Sequence, residues 1–241
     1  MDKLVIHGGR LLNGVVQISG AKNAVLPIMA ATIIVPGTYR IRRVPDLRDT
    51  RTMIRLLEII GCVVQYDNGG LVIDSTPCNN PEAPYDLVKT MRASFYVLGP
   101  LLSRFGYAKV SMPGGCAWGP RPVNFHVDAM EKIGAETELM DGYIVAKGEK
   151  LSGGRLEFEV SSVGATGNAV MAAVGAVGDT IISNAATEPE ITCLCDFLNS
   201  MGARILGVGT SELRIKGGSV MNAADVDVIP DRIEAATFLI A

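Results

Sequence analysis

Three stretches of this chain carry residue types that could do chemistry together. MPGGCAWGPRPVNFH, residues 112–126, sets Cys116 among Gly114, Gly115 and Gly119, with Pro113, Pro120 and Pro122 fixing turns. Arg121 lies close by, and a neighbouring cation lowers a thiol pKa, so Cys116 reads as a nucleophile or a general acid. A glycine-rich turn with an incidental cysteine is the plainer alternative. SGAKNAVLP, residues 19–27, puts Lys22 and Asn23 at the start of an almost wholly apolar helix. A lysine there opposes the helix macrodipole unless an anion sits beside it, and first-turn N–H groups are themselves anion donors. Arg92 in KTMRAS and the stretch VSSVGATGN at 160–168 open two further helices of the same kind, which predicts one anion site lined from three parts of the chain.

Those openings occupy matching places in an internal repeat. LLEIIGCVVQYDNGGLVI at 56–73, AMEKIGAETELMDGYIVA at 129–146 and FLNSMGARILGVGTSELRI at 197–215 each read as helix, glycine, strand, turn, strand. Gly61, Gly134 and Gly202 stand where a helix must enter the left-handed region before a strand starts. Upstream of each lies a helix rich in small apolar residues that closes on Gly37, Gly106 or Gly178, and the separations to the repeat glycine are 24, 28 and 24 residues. Each unit is therefore a βαβαββ arrangement of roughly 70 residues. Helices so rich in Ala and Gly need burial on most faces, which predicts an α/β fold with three units about a pseudo-threefold axis, first helices inside and sheets outside.

Composition narrows the class. The chain has 241 residues, 48% hydrophobic and 20% charged, with a formal net charge of -3. That is too apolar for a disordered chain, and with no Lys/Arg block it predicts no nucleic-acid surface. No apolar run reaches the roughly 18–20 residues of a membrane span, and the N-terminus lacks a signal-peptide core, so the expectation is no membrane partner and a cytoplasmic location. Five cysteines and two histidines without metal spacing predict neither a disulfide framework nor a metal site, and Cys193 and Cys195 read as buried thiols on a helix. The last stretch, DVDVIPDRIEAATFLIA, starts like a fourth unit and stops in an apolar helix, which predicts the N-terminal part of a longer two-domain architecture.

With SGAKNAVLP, PGGCAWGPRPVNFH, SVGAT, NAATEPEI and PDRIEAATFL in this order, the chain resembles the UDP-N-acetylglucosamine 1-carboxyvinyltransferase family of enolpyruvyl transferases over essentially all its length. The resemblance implies an inside-out α/β barrel of three βαβαββ units. By it, residues 1–21 form a strand segment belonging to a second domain, 22–229 one complete domain, and 230–241 the start of a truncated second domain. The implied reaction transfers the enolpyruvyl group of phosphoenolpyruvate to the 3'-hydroxyl of UDP-N-acetylglucosamine with release of phosphate, the first committed step of peptidoglycan synthesis, without a cofactor. Cys116 would protonate C3 of phosphoenolpyruvate, and Lys22 and Arg121 would hold its phosphate and carboxylate. Lys22, Asn23, Arg92, Arg121, Pro122, Val123, Asn124, Phe125, Ser162, Val163 and Gly164 would bind substrate. The sequence departs from the family at Asn124 and Phe125, where Asp and Leu are common, and at Val160 and Ser161, where a Lys-Val pair is common. The latter predicts weaker hold on the diphosphate. The family's second-domain carboxylate and arginines have no counterpart before Ala241, which predicts little turnover by this polypeptide alone. The alternatives are a non-catalytic nucleotide-sugar-binding fragment and the related shikimate-pathway enolpyruvyl transferase.

Overall fold

The computed structural model describes residues 3, 5, 7–9, 11–88, 91–112 and 123–241. The first helix, α1 (Lys22–Ala31), is buried without interruption from Ala24 to Ala31, as its composition of small and branched apolar residues requires. Strand β1 (Thr38–Arg42) follows, and then α2 (Arg48–Ile60), an amphipathic helix that turns Met53, Leu56, Leu57 and Ile60 inward and its arginines outward. Gly61, at φ 105°, ends α2 and feeds the hairpin of β2 (Val63–Asp67) and β3 (Gly70–Asp74). Asn68 and Gly69 both have positive φ, at 44° and 82°, so a two-residue turn of the kind matched to strand twist joins the pair.

The second unit repeats the plan. Strand β4 (Glu82–Ala83) and the short α3 (Tyr85–Val88) lead into a 3-10 helix, Arg92–Val97, which passes into α4 (Leu98–Phe105) and β5 (Tyr107–Ser111). The sequence reading had one continuous helix here. Pro100 explains the division: it has no N–H to give, so it fits the first turn of a helix that starts afresh at Leu98. Beyond it come α5 (Asn124–Lys132), β6 (Glu136–Met140) and β7 (Tyr143–Lys147), with Asp141 and Gly142 again at positive φ between the strands. The third unit runs β8 (Gly154–Glu157), α6 (Val163–Ala173), β9 (Thr180–Ser183), α7 (Pro189–Ser200), β10 (Arg204–Leu206) and β11 (Glu212–Lys216). Strand β12 (Val226–Asp227) and α8 (Arg232–Ile240) complete the described chain.

Three mixed four-stranded sheets result, ordered β12-β1-β3-β2, β4-β5-β7-β6 and β8-β9-β11-β10. In each, the short leading strand is parallel to its neighbour and every other pairing is antiparallel. The leading strand of the first unit therefore comes from the far end of the domain: Ile41 pairs with Val226 and Arg42 with Asp227. The sequence repeat hides this, because the strand is two residues long and its partner lies some 185 residues earlier in the chain. Inward strand positions alternate with exposed ones, as in β1 and β11, so each sheet turns one face to the helices. At the centre, α1 packs on α2, α7 and the 3-10 helix, and α6 packs on α4, α5 and α7. Among the described residues, no helix is long and apolar enough to cross a membrane.

Candidate active site

The starts of several helices converge on one end of the domain, around a cavity of about 510 Å³. Asn23 comes from the first turn of α1, Arg92 from the start of the 3-10 helix, Val123 and Phe125 from the start of α5, and Ser162, Val163 and Gly164 from the start of α6. The three helix openings singled out in the sequence thus border one space. Ser162 caps α6: its hydroxyl accepts from the Ala165 N–H at 3.3 Å. The first intrahelical bond of α6 is the Thr166 N–H to the Ser162 carbonyl, so the Val163 and Gly164 N–H groups are left over as donors at the positive end of the helix dipole. With the Arg92 guanidinium on the same wall, the cavity suits a polyanion.

Two expected residues stand elsewhere. Lys22 does not line the cavity; its Nζ is 2.8 Å from Asp49 Oδ2, in the first turn of α2. The anion that the sequence demanded beside Lys22 is therefore, in this structure, a carboxylate of the same chain. Asn124 faces a separate hollow of about 150 Å³ with Asp128 and Lys132, while Phe125 lines both spaces. Cys116, Arg121 and Pro122 lie outside the described residues.

His126, Tyr96, Glu188, Glu190 and Arg232 are among the residues that complete the walls. His126 projects from α5 beside Gly164, where a Cβ would stand 3.2 Å from its Nε2. Its Nδ1 is 2.8 Å from the Asn168 side-chain nitrogen, and its ring meets Phe95 edge to face at 5.0 Å. Burial, and then the Arg92 charge, push the His126 imidazolium down to about 4. Glu190, 3% exposed at the start of α7, takes a two-pronged contact from Arg232 of α8, with Nε–Oε1 at 3.0 Å and Nη2–Oε2 at 3.3 Å. Tyr96 stands against Gly167 of α6, and burial, with the Glu190 and Glu188 carboxylates behind it, raises its phenol well above the ordinary value. Tyr96 had no sequence signal, and Glu188 and Glu190 entered only within NAATEPEI, one of the motifs of the family resemblance, with no role attached.

Beneath the cavity the two ends of the domain are tied. The Ala21 N–H donates to the Ile229 carbonyl at 2.8 Å, Gly20 bridges Pro230, and the Asp231 N–H donates to the Ser19 carbonyl at 2.9 Å. Asp231 caps α8 through the Ile233 and Glu234 N–H groups, and Glu234 accepts from both the N–H and the hydroxyl of Ser19.

Comparison with known proteins points to one family. A Chlorobaculum parvum protein named UDP-N-acetylglucosamine 1-carboxyvinyltransferase is 56% identical over 242 residues, covering 99% of this chain and 57% of the relative. A Geobacter metallireducens protein of the same name is 54% identical over 241 residues, covering 100% of this chain and 58% of the relative. The chain thus spans less than two thirds of the length of these curated relatives. The crystal structure of the enolpyruvyl transferase NikO from Streptomyces tendae matches 97% of this chain and 56% of its own, with a TM-score of 0.85 at 27% identity. An EPSP synthase from Acinetobacter baumannii shares the fold, with a TM-score of 0.74 at 17% identity over 94% of this chain and 52% of its own. Residues 6–241 match the profile of EPSP synthase (3-phosphoshikimate 1-carboxyvinyltransferase), and the chain belongs to that family.

Proposed function

We propose that this chain supplies the nucleotide-sugar and phosphate side of an enolpyruvyl transferase acting on phosphoenolpyruvate and UDP-N-acetylglucosamine. The observation that carries the reading is the meeting of the α6 N-terminus, Arg92 and Asn23 on one cavity, in a chain whose curated relatives bear that enzyme's name. Two freed N–H groups and a guanidinium match a diphosphate, and apolar Phe125 and Val123 beside them offer a surface for a base or sugar face.

In this reading Cys116 delivers a proton to C3 of phosphoenolpyruvate while the sugar 3'-hydroxyl adds at C2 and loses its own proton. The tetrahedral adduct then expels phosphate as a proton leaves C3, which restores the enol carbon–carbon double bond on the sugar oxygen. Lys22 and Arg121 hold the phosphate and carboxylate, and Lys22 exchanges Asp49 for the substrate as it does so. Asn23, Arg92, Arg121, Pro122, Val123, Asn124, Phe125, Ser162, Val163 and Gly164 hold the nucleotide sugar. Residues 22–229 act as one complete domain, with 1–21 and 230–241 belonging to a second. The setting is the cytoplasm and the first committed step of peptidoglycan synthesis.

The test is phosphate release from phosphoenolpyruvate, with titration calorimetry of UDP-N-acetylglucosamine beside it. Saturable binding of the nucleotide sugar that weakens at least tenfold in Arg92→Ala is expected. Phosphate release that vanishes in Cys116→Ala, alone or on adding the remainder of a relative's chain, would support the transfer. Release with shikimate 3-phosphate but not with the nucleotide sugar would move the assignment to the other branch of the family, and absence of binding to either would remove it.

A further inference from the structure

Two buried thiols meet at a junction that the proposed reaction does not use. Cys62 follows the glycine that ends α2, and Cys78 lies in the loop between β3 and β4. The two stretches run side by side: the Asn79 and Asn80 N–H groups both donate to the Ile60 carbonyl at 3.1 Å, and a Cβ at position 61 would stand 3.2 Å from the Pro77 carbonyl oxygen. Each thiol acts on the other's proton affinity, and each residue is only 5% exposed. From the opposite side, Arg104 of α4 reaches into the loop and donates to the Ser75 carbonyl at 2.9 Å, the Cys78 carbonyl at 3.2 Å and the Ile33 carbonyl at 3.0 Å. Cys78 is thereby held from both sides, with little freedom left to lose on bonding to Cys62.

The pair is also chemically unequal. The neighbouring Cys62 thiol, with the Arg104 charge helping against the cost of burial, holds the Cys78 thiol below its ordinary value. The Cys78 thiol, and then burial, push Cys62 up. One sulfur is disposed to attack and the other to keep its proton until called on. By contrast Cys193 and Cys195, on α7, are raised mainly by burial, Cys195 to about 12, and a hydrogen bond from the Ile229 backbone offsets this only in part at Cys193.

We propose that Cys62 and Cys78 are a redox-responsive pair that closes to a disulfide when the chain meets a hydroperoxide. The Cys78 thiolate attacks one peroxide oxygen and the O–O bond breaks. The leaving hydroxide or alkoxide takes a proton, and Cys78 becomes a sulfenic acid. The Cys62 sulfur then bonds to the Cys78 sulfur and displaces hydroxide, which leaves as water with the Cys62 proton. Two thiols lose two electrons in total and one peroxide gains them. The new bond ties the end of α2 to the β3–β4 loop and closes the β2–β3 hairpin into a ring, which stiffens the unit whose α2 start carries Asp49, the partner of Lys22.

The experiment uses the full chain with Cys116→Ser, so that this other thiol does not compete. The chain is treated with a small molar excess of hydrogen peroxide, unfolded, blocked with N-ethylmaleimide and peptide-mapped. The expected result is a mass lower by about 2 Da before blocking, with the Cys62 and Cys78 peptides joined, unlabelled and released by dithiothreitol, while Cys193 and Cys195 stay labelled. The unfolding midpoint should rise by about 5 °C on oxidation. Full labelling of both Cys62 and Cys78 after treatment, or a bridge from either to Cys193 or Cys195, overturns the proposal. Adding Cys62→Ser leaves Cys78 without its resolving partner, so Cys78 should instead gain about 32 Da as sulfinic acid. A Cys78 that stays fully reduced in that chain overturns the assignment of Cys78 as the attacking sulfur.

Discussion

At Asn168 every side-chain polar atom has a partner, and the partners decide the state of a neighbour. Its oxygen accepts from the Gly99 N–H at 2.9 Å, and its nitrogen donates to the Phe95 carbonyl at 3.0 Å. A backbone N–H only donates and a carbonyl only accepts, so the amide can be oriented one way. Its second hydrogen then points at His126 Nδ1, which must accept, and the imidazole is neutral with its proton on Nε2 near Gly164. A folded pKa of about 4 agrees. Because that value lies below the unfolded one near 6.5, the unfolded chain takes up a proton that the folded chain refuses as pH falls between the two. His126 therefore withdraws stability between about pH 6.5 and pH 4, by at most about 3 kcal/mol since its ring faces the cavity, and costs nothing above that window. Urea unfolding at pH 7.5 and pH 4.5 should show a smaller acid loss in His126→Asn than in the parent; equal losses would contradict the buried neutral imidazole. Asn168→Ala leaves the Gly99 N–H without a partner in the core and takes one of two donors from the Phe95 carbonyl, which keeps the Leu98 N–H, and should cost about 2 kcal/mol at pH 7.5 by the same measurement.

Among the elements, α6 packs closely against α4 and against the 3-10 helix that leads into it. A Cβ on Gly99 would come 2.4 Å from the Asn168 carbonyl oxygen, and one on Gly167 would come 2.8 Å from Tyr96 Cε1. The first obstacle is backbone in a buried helix; the second is a ring edge in the cavity wall. Gly99→Ala should accordingly destabilise by roughly 3 kcal/mol in urea, whereas Gly167→Ala should cost less stability and instead displace Tyr96, weakening nucleotide-sugar binding several-fold. A Gly99→Ala chain within 0.5 kcal/mol of the parent would show that the helices are free to separate. What a sequence can reveal divides along the same line. Gly61, Gly134 and Gly202 are legible because their left-handed φ of 105°, 103° and 108° suits glycine, and α1 and α6 because nothing but burial suits so many small apolar residues. Of the contacts that finish the site, Asn168 on His126 joins the third unit to the second and Glu190 on Arg232 joins the third to α8, while Asp49 meets Lys22 within the first, and no local pattern marks any of them.

For the molecule as a whole, the closing step is β12, which gives the first sheet the parallel edge strand that the other two sheets receive from their own units. Its neighbourhood is firmly fixed: the Val228 N–H donates to the Arg42 carbonyl at 3.2 Å, Val228 is fully buried, and Arg42 pairs with Asp225 at 3.1 Å and Asp227 at 3.5 Å. These ion pairs are about half exposed and contribute little; the buried valine and the strand pairing are what hold the segment. By contrast α8 has no buried residue, and it is tied to the rest of the described chain by Arg232 on Glu190 and by Glu234 on Ser19. Two truncations separate the contributions. A chain ending at Asp231 loses α8 and leaves the Glu190 carboxylate without Arg232, and should lose about 1–2 kcal/mol. A chain ending at Met221 also loses β12, uncovers the backbone edge of β1 and opens the core beneath Val228, and should lose at least twice as much and self-associate through that edge. Urea unfolding with light scattering on the two chains reads both effects. If the shorter chain stayed monomeric and matched the longer one in stability, closure of the first unit by a strand from the third would be dispensable, and the threefold plan would be complete within the sequence repeats alone.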